Sequence, residues 1–168
     1  MKPLRHLAGI GIAGGLLAAP PACAQPPRAA LFAFELDDTS LQGEIQGPAP
    51  EDLARLARLD AQLQEALVRS GRYEPVAVAA DPLGPTLRTC GGCEVDAARK
   101  LAAQVSVIGW VQKVSTLILN INIVMRDVAT GGRVAGGSVD IRGDTDESWT
   151  RGLSFLLRNR ILVGATAQ

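Results

Sequence analysis

Along residues 117 to 128 apolar and polar positions alternate. Leu119, Ile121, Ile123 and Met125 fall on one side, with Asn120, Asn122 and Arg126 on the other. Period two with one polar face predicts an antiparallel strand that is wet on one side. Ala129-Thr130-Gly131-Gly132 is the turn, and Arg133–Ile141 returns as the next strand. Upstream, the apolar run Ala30–Leu36 (ALFAFEL) predicts a buried strand that ends in Asp37-Asp38, followed by loop to Pro50. From Glu51 to Ser70 the period changes to three and four. Leu53, Leu56, Leu63 and Leu67 share one face of a helix, with Ala57 and Asp60 between them. Glu51 and Asp52 suit its positive amino end, and Gly71 is placed to end it in a left-handed cap.

Tyr73–Ala79 predicts a second strand, entered through Pro75, and residues 81–92 a loop. A helical face made by Val95, Ala98, Leu101 and Ala102 runs from Glu94 to Gln104, and Val105–Val111 is a third strand. The final helix carries the stripe Trp149, Leu153, Leu156, Leu157. Asp144 is its expected cap, with Glu147 reaching back, and Gly164 its close. The order is strand, helix, strand, helix, strand, strand, strand, helix. The fold class is therefore α/β of the mixed α+β kind, one five-stranded mixed sheet with helices packed on it. Its first three strands are parallel through right-handed crossovers, and its last pairings are hairpins.

The first two dozen residues stand apart. A basic start (Lys2, Arg5, His6), a charge-free apolar run Leu7–Ala19 and Ala22-Cys23-Ala24 form a secretory signal peptide over residues 1–24, cleaved between Ala24 and Gln25. The apolar run is shorter than the roughly 20 residues a stable span needs, and no later stretch is long enough. The expected location is the periplasm. The alternative is lipid anchoring through Cys23, although Pro20 stands where lipoprotein signals usually carry Leu. The organisation is then a leader (1–24), a flexible lead-in (25–29), one domain (30–163) and a frayed tail (164–168).

Removing the leader leaves 144 residues (168 less 24), enough for a single domain that needs no metal or staple. Lys2 and Arg5 leave with it, so 15 basic residues face 17 acidic ones. That balance offers no basic footprint for nucleic acid. His6 is the only histidine, so the mature chain has none. Ser-His-Asp and Cys-His catalysis fail on that ground. No phosphate loop is present. The acidic group Asp144, Asp146, Glu147 lacks the spacing of a calcium loop, and capping accounts for it. No cofactor is expected, and no catalytic residue can be singled out.

Cys90-Gly91-Gly92-Cys93 remains. Glu94 follows, where covalent haem needs His, and two thiolates without imidazole are poor material for structural zinc. An oxidising compartment favours a small disulfide fixing the entry to the second helix. A redox-active dithiol stays open as the alternative, because Cys93 lies at a helix amino terminus. Against it, no aromatic residue precedes Cys90. Asp37, Asp38, Asn120 and Asn122 are candidate partner-facing residues. A solvated turn accounts for the first pair as well, and sheet-edge protection for the second.

CGGCEVDAARKLAAQVSVIGWVQKVSTLILNINIVMRDVATGGRV, followed by IRGDTDESWTRGLSFLLRNRIL, resembles an uncharacterised bacterial exported family known as domain of unknown function 2380, with a relative numbered 3280. The resemblance implies no activity, cofactor or catalytic residue. More distantly, three pieces are similar to the amino-terminal domain of TolB and related envelope proteins: the strand ending in an acidic turn at Leu31–Asp38, the helix-to-strand junction Arg69–Val76, and the hairpin Asp127–Gly131. That plan implies a non-catalytic binding or assembly module for another envelope protein. A periplasmic thiol-redox or redox-accessory protein using Cys90 and Cys93 is the second reading.

Overall fold

A computed structural model describes residues 25–79, 84 and 86–163. The leader, its Ala24/Gln25 cleavage site, Cys23, Gly164 and the tail lie outside the described residues. In chain order the elements are β1 (Arg28–Phe32), β2 (Glu35–Asp38), α1 (Leu41–Gln46), α2 (Pro50–Ser70), β3 (Glu74–Val78), α3 (Cys93–Lys100), β4 (Val105–Lys113), β5 (Ile118–Asp127), β6 (Arg133–Arg142) and α4 (Asp146–Leu156). A wider π-type turn, Leu157–Ile161, prolongs α4.

One mixed sheet runs β3-β1-β4-β5-β6, with β2 also paired to β4. β1 is parallel to both β3 and β4, while β4-β5 and β5-β6 are antiparallel. Ala29, Ala30, Leu31 and Phe32 of β1 are all buried, because helices cover both faces of that strand. In β5 the predicted alternation holds: Leu119, Ile121, Ile123 and Met125 face the main core. α2 lays Leu59, Leu63 and Leu67 on that core, and α4 lays Trp149, Leu153 and Leu156 there. Each such side chain contributes roughly 1.5–3 kcal/mol by leaving water. A smaller cluster on the opposite face packs Val95 and Ala98 of α3 against Ala30, Phe32, Ile108 and Val128.

The local signals act as expected at several points. Gly71 ends α2 at φ 62, a left-handed conformation that penalises a Cβ. Asp127 accepts from the Thr130 backbone N–H at 2.7 Å and its hydroxyl at 2.9 Å, which closes the β5-β6 turn. Those bonds hold the Asp127 carboxyl below the usual carboxylate range.

Other expectations are corrected. The strand predicted over Ala30–Leu36 is two strands: β1 stops at Phe32, and β2, the sheet's sixth, starts at Glu35. Phe34 turns into the main core between them, and its N–H, lost to the ladder, donates to Asp60 Oδ1 at 2.8 Å. β1 begins at Arg28, inside the predicted lead-in. The loop expected before Pro50 contains α1, capped by the Ser40 hydroxyl accepting from Gly43 N. Leu53, placed on the buried face of α2, is half exposed, because the buried face runs through Asp52, Leu56, Leu59 and Leu63 and Leu53 lies to one side of it. α3 ends at Lys100, short of Gln104, with Ala102 at φ 53 beyond it. The cap of α4 is Thr145, accepting from Ser148 N, while Asp144 is drawn into an ion cluster.

Candidate functional site

Gly92, at φ 111, caps α3 and places Cys93 in its first turn. Cys90 and Cys93 are joined as a disulfide, with Cα atoms 5.6 Å apart, and both residues are half-buried. The Cys93 backbone N–H donates to Cys90 Sγ at 3.1 Å. Glu94, only 1% exposed, lies beneath the pair. Its Oε1 accepts from Arg126 Nε at 3.1 Å, across from β5, and its Oε2 faces Cys90 Sγ at 3.7 Å. The ligand atoms of Cys90, Cys93 and Glu94 fall within 4.8 Å of one another. With the sulfurs bonded to each other they are not available to a cation.

Cys93 also borders a cleft of about 360 Å³ walled by Phe32, Phe34, Val78, Leu87 and Ala97. Among the described residues the wall is apolar apart from Glu35, whose carboxylate is engaged by the backbone N–H groups of Leu87 and Arg88 at 2.6 and 3.3 Å. A second cleft, on the α2 side of the break between β1 and β2, is lined by Leu31, Leu63, Ala77 and Asp60. Burial pushes the Asp60 carboxyl up, partly offset by the Phe34 N–H it accepts.

Three of the four candidate partner-facing residues share one face of the sheet. Asp37 in β2 stands opposite Gln112, Gln112 opposite Asn120, and Asn122 opposite Trp110. α3 covers only the β1 side of that face. Asn120 Nδ2 donates to Asp140 Oδ1 at 2.7 Å, and Asp37 accepts from Arg88 at 2.7 Å. Asp38 is spent differently: its Oδ1 accepts the N–H and hydroxyl of Ser40 and holds the start of α1.

A charge cluster under α2 and α4 escaped the sequence reading. Asp52 is fully buried and Lys113 nearly so. Lys113 Nζ donates to Asp52 Oδ2 at 2.5 Å and to Asp144 Oδ2 at 2.6 Å. Arg55 joins Asp52, Asp144 and Asp146 at 2.8–2.9 Å and lies over the Trp149 ring, whose Nε1 donates to Asp144. Burial alone would lower the Lys113 and Arg55 pKa values. The bonds to Asp144 and Asp52 for Lys113, and to Asp146, Asp144 and Asp52 for Arg55, raise both above their ordinary values. Every charge has a partner, so the cluster is a framework for the α2-α4 end of the domain rather than a reactive centre. Glu94 was missed too; the available signal was an acid beside Val95 on the apolar face of α3.

At the same end of the sheet, large apolar side chains face solvent. Thr39 N donates to Lys113 O at 2.9 Å and sets α1 beside the β4-β5 turn. Leu41 and Ile45 of α1 are each 73% exposed, and Val114, Leu117 and Ile118 of the turn are about half exposed or more. α1 buries no residue of its own. Among the described residues, no helix is long and apolar enough to cross a membrane.

The fold is shared with solved structures at low identity. The PelC dodecamer from Paraburkholderia phytofirmans is 12% identical over 90% of this chain and 95% of that chain, with a TM-score of 0.53. The LpoB C-terminal domain from Salmonella enterica is 15% identical over 72% and 87%, with a TM-score of 0.47. TolB from Acinetobacter baumannii is a distant neighbour, 10% identical over 80% of this chain and 29% of that chain, at 0.40. No curated protein matches the chain. The model of a family described as a protein of unknown function (DUF2380) matches residues 27–161, the whole of the sheet and its helices, and the chain belongs to that family.

Proposed function

We propose that this is an exported, non-catalytic module of the cell envelope that docks another envelope protein through the end formed by α1 and the β4-β5 turn. The carrying observation is α1 itself, a helix with Leu41 and Ile45 in water and nothing of its own in the core. Together with Leu53, Val114, Leu117 and Ile118 it gathers apolar surface of the kind that marks a protein interface.

The position of this end favours a protein over a membrane as its occupant. β1 enters beside Val105, and β2 leaves beside Lys113. The chain therefore enters the domain at the far end of β4, roughly 30 Å from α1. Any amino-terminal tether would hold the apolar end away from its own anchoring surface.

The test places a photo-crosslinking residue at Ile45 or Leu117 in cells, with Arg69 at the other end of α2 as control. The reading expects one protein adduct of fixed mass from both apolar positions, absent from Arg69 and abolished by a Leu41→Asp change that leaves the melting curve unaltered. An adduct of twice the chain mass, a lipid adduct, or none would overturn it.

A further inference from the structure

We propose that Cys90 and Cys93 form an exchangeable thiol–disulfide site for dithiol proteins, with Glu94 as a positioning residue that favours the reduced pair. The Glu94 carboxylate is buried, and Arg126 satisfies its Oε1. Oε2 faces Cys90 Sγ at 3.7 Å, and no other donor reaches it among the described residues. A disulfide sulfur carries no hydrogen, so in the closed form this buried oxygen has no donor among the described residues. Leaving a buried acceptor unpaired is costly, more so when it is charged. In the dithiol, Cys90 carries an S–H directed at that oxygen. Opening the disulfide thus satisfies Glu94, and the carboxylate shifts the equilibrium toward reduction. A purely structural disulfide gains nothing from such a neighbour.

The two sulfurs are also placed unequally. Cys93 borders the apolar cleft with Phe32, Phe34, Val78, Leu87 and Ala97. Cys90 looks toward Glu94 and accepts the Cys93 N–H at 3.1 Å. An incoming thiolate from a dithiol protein attacks Cys93 Sγ from the cleft. The Cys93–Cys90 bond breaks, and Cys90 leaves as a thiolate stabilised by that N–H. It takes a proton from solvent and donates it in a hydrogen bond to Glu94 Oε2. The second thiol of the carrier then attacks its own sulfur of the mixed disulfide and releases Cys93 as a thiol. One dithiol and one disulfide become one disulfide and one dithiol, so two electrons move and no further oxidant or reductant is needed.

The experiment equilibrates the mature chain in glutathione buffers and counts free thiols by alkylation and mass. The expected midpoint lies well above the roughly −300 mV of structural disulfides. Glu94→Gln, whose amide can donate toward sulfur, is expected to shift the equilibrium at least tenfold toward the disulfide, about 30 mV. The oxidised variant should keep the wild-type circular dichroism. A midpoint below −300 mV, or a Glu94→Gln shift under twofold in a folded protein, overturns the proposal. A second measurement does not depend on Glu94. In Cys90→Ser the remaining Cys93 is expected to form a mixed disulfide with oxidised glutathione at least tenfold faster than Cys90 does in Cys93→Ser. Equal rates, or the reverse order, overturn it as well.

Discussion

Lys113 Nζ lies 2.5 Å from Asp52 Oδ2, an ion pair between the end of β4 and the first turn of α2 with Asp52 wholly out of water. Removing Lys113 leaves the buried Asp52 with Arg55 as its remaining cation, and breaking one side of such a buried pair costs up to about 3–5 kcal/mol. Lys113→Met is therefore expected to lower the unfolding free energy, read from urea titration, by up to that amount, and Asp52→Asn in the same chain to recover part of it. A loss under about 1 kcal/mol would show the pair to be dispensable. The pH sense follows from the raised Lys113 value. Its contribution is complete below the ordinary lysine value of about 10.4 and disappears only as pH rises through the higher folded value.

Trp149 supplies the cluster's neutral donor, with Nε1 3.0 Å from Asp144 Oδ1. Trp149→Phe keeps most of the ring packing but removes that bond. The expected loss is about 1–3 kcal/mol, measured by denaturant unfolding at unchanged slope. Because Asp144 also receives Lys113 and Arg55, the loss should be smaller in a Lys113→Met background, where the cluster is already broken. Strict additivity would argue against a shared network.

Gly109 in β4 sits under the Phe34 ring, and a Cβ there would come within 2.4 Å of Phe34 Cε1. The glycine makes room for the side chain that turns inward where β1 breaks from β2. Gly109→Ala is expected to cost about 1–3 kcal/mol by overpacking. Combining it with Phe34→Leu should cost less than the sum of the two single changes. Full additivity in thermal unfolding would mean that the two do not compete for the same space.

How much of this was legible in the sequence depends on the range of each interaction. The alternation of Leu119 to Met125 and the left-handed Gly71 are local, and the chain states them directly. The break at Ala33-Phe34 is not local: an unbroken apolar run hides that Phe34 abandons the ladder for Asp60, 26 residues away. Asp144 reads as a helix cap from its neighbours. Its actual role depends on Lys113 and Arg55, which only the fold brings near. Cys90 and Cys93 are visible as a pair, but the buried Glu94 beneath them depends on Arg126, 32 positions on. Asp37 lies more than 80 positions from Asn120 and Asn122 in the chain, and only sheet register puts the three on one face.

Asp60 gives the last expectation. Burial raises its carboxyl above the ordinary range, against the Phe34 N–H bond that lowers it. The folded state therefore binds the proton more readily than the unfolded one. Between the unfolded value, near 3.9, and the higher folded one, stability falls as pH rises, and the penalty is complete above both. Asp60→Asn keeps a carbonyl to accept from Phe34 N and carries no charge. It is expected to be more stable than the wild type at neutral pH by up to about 1 kcal/mol, with the gap closing as pH falls through the folded value toward 4. Urea midpoints of both proteins across that range check the point. A gap of constant size at every pH would show that the side chain's charge is not what the site resists.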